Sequence, residues 1–192
     1  MKGATFDDYS KEEEVNFETI LDYTRFHGWK MCGPGRFDLV ENAIVSNGGM
    51  GLLWYTEKQF RDFILKVRWK TCAMGDNSGI FVRFVDPDDD PGIAVNTGYE
   101  IQIYDEEPQD ENATHRTGAI YNFAQPSTYA SNEPGKWNIF EIHAVGHNYT
   151  VILNNTKLTE FTGNRQLEGY IGLQNHDSSS RVSFGKIAIK EL

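Results

Sequence analysis

Apolar and polar residues alternate one by one along most of this chain, in short bursts separated by turn residues. The stretch GYEIQIYD (98–105) is the cleanest case. Tyr99, Ile101 and Ile103 fall on one side, and Glu100, Gln102 and Tyr104 on the other. A period of two sends successive side chains to opposite faces of a strand, so each burst reads as a half-buried β-strand. RFDLVENAIVSN reads as a hairpin turning at Glu41-Asn42, and GLLWY as a short buried strand. FRDFILKVRWK sets Phe63, Leu65, Val67 and Trp69 against Ile64, Lys66, Arg68 and Lys70. NSGIFVRFV, HRTGAIYNF, KWNIFEIHAVG, NYTVILNN, TKLTEFT, GYIGLQNH and RVSFGKIAIKEL continue the series, for about ten to twelve strands in all. No segment sustains a helical period. Many short strands with Gly, Asn, Pro and Asp between them predict an all-β chain of antiparallel sheets. Its core is expected to contain Val82, Ile101, Ile103, Phe140, Ile142, Ile171 and Leu173, with Trp69 and Trp137 beside them.

Charge narrows the partners. The net charge is −10, and ten of the 28 acids lie between Asp86 and Glu111, a window without Lys or Arg. The remaining 18 acids balance the 18 bases. The excess therefore flanks GYEIQIYD. Such acidity argues against nucleic acid, which asks for a basic patch, and against an anionic membrane surface. Apolar runs fall far short of the ~20 residues a membrane span needs. MKGATFDDYSKEEEV has no apolar core of a signal peptide, so an extracytoplasmic location is expected only if such a peptide was removed. Cys32 and Cys72 are read as two buried free thiols, with a disulfide the alternative if the fold brings them together, and without a CxxC they suggest no zinc cluster.

Several segments, taken in order, resemble a known family. FHGWK, the Glu41-Asn42 hairpin and GLLWYTEKQFRDFILKVRWK match its start. NSGIFVRF, GYEIQIYD and TGAIYNFAQPS match its central motifs. WNIFEIHAVGHNYTVILNNTKL and GYIGLQNHDSSSRVSFGKIAIKEL match its end. The family is that of the 3-keto-disaccharide hydrolases, long catalogued as a domain of unknown function. The resemblance covers about residues 16–192 and implies a single concanavalin A-like jelly roll there, preceded by an acidic arm over 1–15. The family's terminal FRNI is Phe184-Gly185-Lys186-Ile187 here, and its Asn-Gly turn is Asn154-Asn155.

In a jelly roll one sheet is concave and its outward face holds the ligand. Alternation directs Glu100, Gln102 and Tyr104 to that face, with Arg83 from SGIFVRF, and Gln174 and His176 from GYIGLQNH. HRTGAIY adds His115, Arg116 and Tyr121. Amides, a carboxylate, a guanidinium and phenols suit a sugar: planar polar groups bond paired hydroxyls, and rings pack on the apolar sugar face. A plain cross-strand ion pair between Arg83 and Glu100 is the structural alternative, as is a loop hydrogen bond for His176.

The resemblance implies cleavage of 3-keto-glycosides by elimination and hydration. That chemistry needs a base for the C2 proton, a stabiliser for the enolate and an acid for the leaving oxygen. Arg83 is expected to stabilise the enolate, while Glu100 and His176 are open between base and acid. A binding-only, lectin-like module uses the same face. A family-16-type glucanase would need two carboxyl groups ~5–5.5 Å apart, which Glu100, Gln102 and Asp105 do not offer. The loop DPDDDPG is read as a solvated edge or a candidate calcium site, with Asp86, Asp88 and Asp90 as ligands.

Overall fold

The computed structural model describes residues 16–22, 27–106 and 112–192. The stretch 1–15, expected to be an arm, lies outside the described residues. Among those described, thirteen strands and one six-residue helix form. The strands are β1 (Glu18–Leu21), β2 (Trp29–Cys32), β3 (Arg36–Val40), β4 (Ala43–Asn47), β5 (Gly51–Tyr55), β6 (Phe63–Thr71) and β7 (Asn77–Phe84). After helix α1 (Gly92–Thr97) come β8 (Tyr99–Tyr104), β9 (Asn138–Val145), β10 (Asn148–Leu153), β11 (Thr156–Thr162), β12 (Tyr170–Asn175) and β13 (Val182–Glu191).

All pairings are antiparallel. One sheet runs β11-β10-β9-β6-β13-β4-β3, with β1 also on β13, and the other runs β2-β5-β12-β7-β8. The two pack face to face as a concanavalin A-like jelly roll. Glu41 turns the β3–β4 hairpin at φ 54°, and Asn154-Asn155 turn β10 into β11 at φ 50° and 67°. Two consecutive left-handed residues make the type I′ turn that matches strand twist, and Asn tolerates them.

The expected core is buried, with Trp137 the one exception. Val82, Ile101, Ile103, Phe140, Ile142, Ile171 and Leu173 are all closed to solvent between the sheets. Trp69 stacks on Phe140 at 5.3 Å between ring centroids. Ile20 and Leu21 dock the N-terminal strand, whose Ile20 carbonyl accepts from Trp29 Nε1 at 2.8 Å. Cys32 and Cys72 are free thiols, Cys32 buried as expected and Cys72 exposed against expectation. No helix among the described residues is long and apolar enough to cross a membrane.

Four further expectations need correction. HRTGAIYNF is not a regular strand: Ala113–His115 make a 3-10 turn, and left-handed Gly118 (φ 86°) and Asn122 (φ 64°) bend the rest of the segment. The segment still lines the β8 edge, with Gly118 N donating to the Gln102 carbonyl and Tyr121 N to that of Glu100, both at 2.9 Å. It thereby covers an edge that would otherwise be open. Trp137 is only part-buried and lies outside the core, under the Arg68 guanidinium at 4.0 Å and the Lys70 ammonium at 4.8 Å.

The third correction is Arg83. Ile171 pairs with Val82 and Tyr170 with Phe84, which leaves Arg83 as the extra residue of a bulge at φ 54°. A bulge reverses the face that alternation assigns. Arg83 is fully buried away from the concave face. Its guanidinium donates to the carbonyls of Arg61, Gly146 and Ala144, to Tyr149 Oη and to Asp62 Oδ1. The fourth is the calcium loop. Asp86 Oδ1 accepts from Asp88 N at 2.9 Å and Asp90 Oδ1 from Gly92 N at 2.8 Å. The carboxylates shape their own turn, as Asp does in Asx-turns. Among the described residues no group of three His, Cys, Asp or Glu could hold a metal ion.

Helix α1 escaped the periodicity because six residues are under two turns. It starts behind Pro91 and lays Ala94 on the outer face of the five-stranded sheet. There it helps bury Cys32, Leu52, Trp54, Phe81 and Phe84. One half of that face is thus apolar and covered. The other half is polar.

Candidate functional site

The polar half takes its residues from three adjacent strands. β5 pairs with β12, β12 with β7 and β7 with β8, so residues opposite one another form rows across the sheet. One row holds Trp54, Gly172, Phe81 and Glu100. The next holds Gly79 opposite Gln102, and Gln174 opposite Leu52. Glycines at 79 and 172 keep the floor low. An added Cβ at Gly79 would overlap the Glu100 carboxyl, which lies across that glycine.

A cavity of about 250 Å³ opens above this floor. Glu100, Gln102, Gln174 and His176 come to it from the sheet, and His115 and Tyr121 from the segment along β8. All six were expected there. Asn77 joins them on the floor, and Met50 and Val95 form an apolar rim. The expected Tyr104 and Arg116 line a neighbouring cavity. Asn77 was legible in hindsight, since it is two residues before Gly79 on the same face.

The polar groups are held but not all satisfied. Gln102 Nε2 donates to Asn77 Oδ1 at 3.2 Å. Its Oε1, the Oε1 of Gln174 and the Oε1 of Glu100 are buried and meet no hydrogen-bond partner among the described residues. Buried polar atoms are paired in the great majority of cases, so three orphans facing one cavity make it the candidate binding site. His115 stacks on Tyr121 at 4.7 Å and 22° and bonds Asn122 Oδ1 through Nε2 at 2.9 Å.

Among the described residues Glu100 is the one carboxylate on this cavity. Burial pushes its carboxyl up to about 8. No cation among the described residues holds it ionised, Arg83 having turned to the other side of the sheet. His176 has the opposite support. Its Nδ1 lies 2.8 Å from Asp177 Oδ2. Partial burial pushes the Asp177 carboxyl up. Hydrogen bonds from Ser179, His176 and Ser180 outweigh that and hold it well below the usual carboxylate range. Ser179 and Ser180 both donate backbone N–H groups to Asp177 Oδ1 at 2.7 Å. Asp177 was missed because it sits past the end of β12, where alternation stops. Its sequence signal was the Asp-Ser-Ser-Ser turn.

A concave β-sandwich face with amide, imidazole and phenol groups around one isolated carboxyl defines a carbohydrate-handling protein. The chain belongs to the family of 3-keto-alpha-glucoside-1,2-lyase-like domains, whose model matches residues 16–190. No curated protein matches it. Among solved structures, a candidate glycosyl hydrolase from Parabacteroides distasonis aligns at TM-score 0.77 and 23% identity, over 95% of this chain and 97% of its own. A second one from that organism aligns at TM-score 0.70 and 25% identity, over 85% and 99%. The carbohydrate-binding module CBM66 from Bacillus subtilis aligns at TM-score 0.62 and 16% identity, over 85% and 96%.

Proposed function

We propose that the domain over residues 16–192 cleaves 3-keto-glucosides by elimination across C1 and C2, followed by hydration. The observation that carries this reading is the pairing of a proton-holding Glu100 with a carboxylate-supported His176 on one cavity. A ketone at C3 acidifies the C2 proton. With Nδ1 engaged by Asp177, the ring nitrogen left for substrate is Nε2 of His176, which takes that proton. The electron pair forms the C1=C2 bond as the C1–O bond breaks. Glu100, protonated at neutral pH, gives its proton to the departing oxygen. Water adding across C1=C2 completes net hydrolysis. Amide groups of Gln102 and Gln174 take the place that spacing assigns to Arg83, bonding the 3-keto oxygen as charge builds on it.

The test is incubation with a methyl 3-keto-α-glucoside, following methanol release and the ultraviolet absorbance of the enone. A second reading, a binding-only module, is favoured by Gln102, Gln174 and Tyr121, groups that recognise sugar without moving a proton. It predicts that the unoxidised glucoside raises the melting temperature while no aglycone is ever released. Family-16-type hydrolysis finds no second carboxylate on this cavity among the described residues.

A further inference from the structure

Beside the sugar cavity lies a second one of about 250 Å³. The two adjoin at two points. Asn77 of the first cavity is the cross-strand partner of Tyr104, which lines the second. Directly opposed residues sit ~5 Å apart. His115 and Arg116, one in each cavity, are chain neighbours. The second cavity therefore begins about one sugar ring from the first, where the group attached to C1 would lie.

Its walls differ from those of the sugar cavity. Met74 and Tyr129 are each 50% exposed at its mouth, with Pro134 and Ala73 beside them. The Arg116 guanidinium lies 5.4 Å from the Tyr129 ring centre and stiffens that ring. Large side chains left half-bare around a hollow mark a binding surface. Several polar groups here are engaged with one another or with the backbone. Asn132 Nδ2 donates to the Trp137 carbonyl at 2.8 Å, and Ser131 bonds the Asp105 carboxyl. Among the described residues no buried side-chain polar atom of this lining lacks a partner, unlike its neighbour, so a second sugar would find little to bond. Asp105, Glu106 and Glu133 surround it, so an anionic group would be repelled.

We infer that this second cavity is an aglycone subsite for a neutral aromatic group, which makes the preferred substrates aryl-bearing 3-keto-glucosides rather than 3-keto-disaccharides. The inference rests on the lyase reading for its placement next to C1. Together the two hollows, each of about 250 Å³, fall within the ~300–1,000 Å³ of ordinary small-molecule sites.

The test compares benzyl, methyl and glucosyl 3-keto-α-glucosides with the full chain. Benzyl alcohol and methanol are leaving groups of nearly equal acidity, so a difference between them reports binding and not bond strength. kcat/KM for the benzyl substrate is expected to exceed the other two by about tenfold or more, the gain from burying one aromatic ring. Tyr129→Ala should bring the benzyl value down to the methyl one, and Tyr129→Phe should restore it. Met74→Ala, at an exposed position, should cut the benzyl preference in the same direction if Tyr129→Ala proves poorly folded. Equal rates for the three substrates, or a benzyl preference that survives both alanine variants, would overturn the subsite. Failure to cleave any of them would sink the lyase reading instead. In that case calorimetric binding of unoxidised benzyl glucoside against methyl glucoside, with and without Tyr129→Ala, decides the subsite by itself.

Discussion

The Glu100 carboxyl lies across Gly79, filling the space where any other residue on β7 would carry its side chain. The strand pairing makes this possible: Gly79 faces Gln102, one row along from Glu100, so the carboxyl leans diagonally toward the middle of the sheet. Gly79 is in extended backbone, and its reason for being glycine is space, not conformation.

Gly79→Ala should therefore disturb the site more than the fold. The atoms in the way are the far end of one flexible side chain, which swings aside at small cost. Activity should fall by about tenfold or more as the acid is misplaced, with the melting temperature shifting little. A rate equal to wild type would mean that Glu100 is not used in its observed position.

Glu100 also makes stability depend on pH. The carboxyl ionises near 4.5 in the unfolded chain and near 8 in the folded one. Between those values the folded state holds the extra proton, so stability is complete below about pH 4.5 and declines as pH rises through about 8. Glu100→Gln removes the titration. It should match wild type at low pH and exceed it at pH 9 by on the order of a few kcal/mol. Urea melts across this range read the difference directly. A constant gap at all pH values would contradict the buried, proton-holding carboxyl.

The same group sets an activity limb. As the acid for the departing oxygen, Glu100 works only while protonated, so kcat should fall above about pH 8. Glu100→Gln should lose about 10²-fold or more, with binding of the unreacted glucoside retained. A rate that instead climbs through pH 8 would make Glu100 the base and exchange its role with that of His176.

Alternation carried most of the fold and brought six of the nine candidate residues to one cavity, because strand faces and sheet rows arise from a period of two. It failed at identifiable points. Arg83 has the correct spacing, but a bulge at φ 54° is a matter of pairing with β12, which local sequence does not report. Tyr104 is on the expected face, yet β8 is long enough to reach past one cavity into the next. Trp137 lost its place in the core to the cations of Arg68 and Lys70, a surface arrangement no hydropathy pattern encodes. The acidic loop looked like a cation trap because composition shows charge and not direction, and its oxygens turn back on their own backbone.

Arg83 becomes a test of that correction. It is fully buried, and its charge is met by Asp62 at 3.0 Å and by carbonyls of three residues. Arg83→Met would leave those carbonyls without donors inside the sandwich. A loss of about 3–5 kcal/mol is expected, measured by urea unfolding, while the folded fraction keeps its kcat. Normal stability with lost turnover would return Arg83 to the catalytic role that its spacing suggests.

Asp177 supplies the last prediction. It touches His176 and not the cavity, so it acts by holding the ring: a carboxylate on Nδ1 fixes the tautomer in which Nε2 is the base, and it stabilises the imidazolium that forms. Ser179 and Ser180 hold the carboxylate in turn, which keeps the ring from rotating. Asp177→Ala should lower kcat by about 10–100-fold while KM changes little. Asp177→Asn keeps the turn but offers an amide in place of the carboxylate, so it should keep the melting temperature without recovering kcat. A merely structural role predicts the reverse, with Asp177→Asn recovering both. The loss should also vanish in a His176→Ala background, since a group that works only through the imidazole has nothing left to hold.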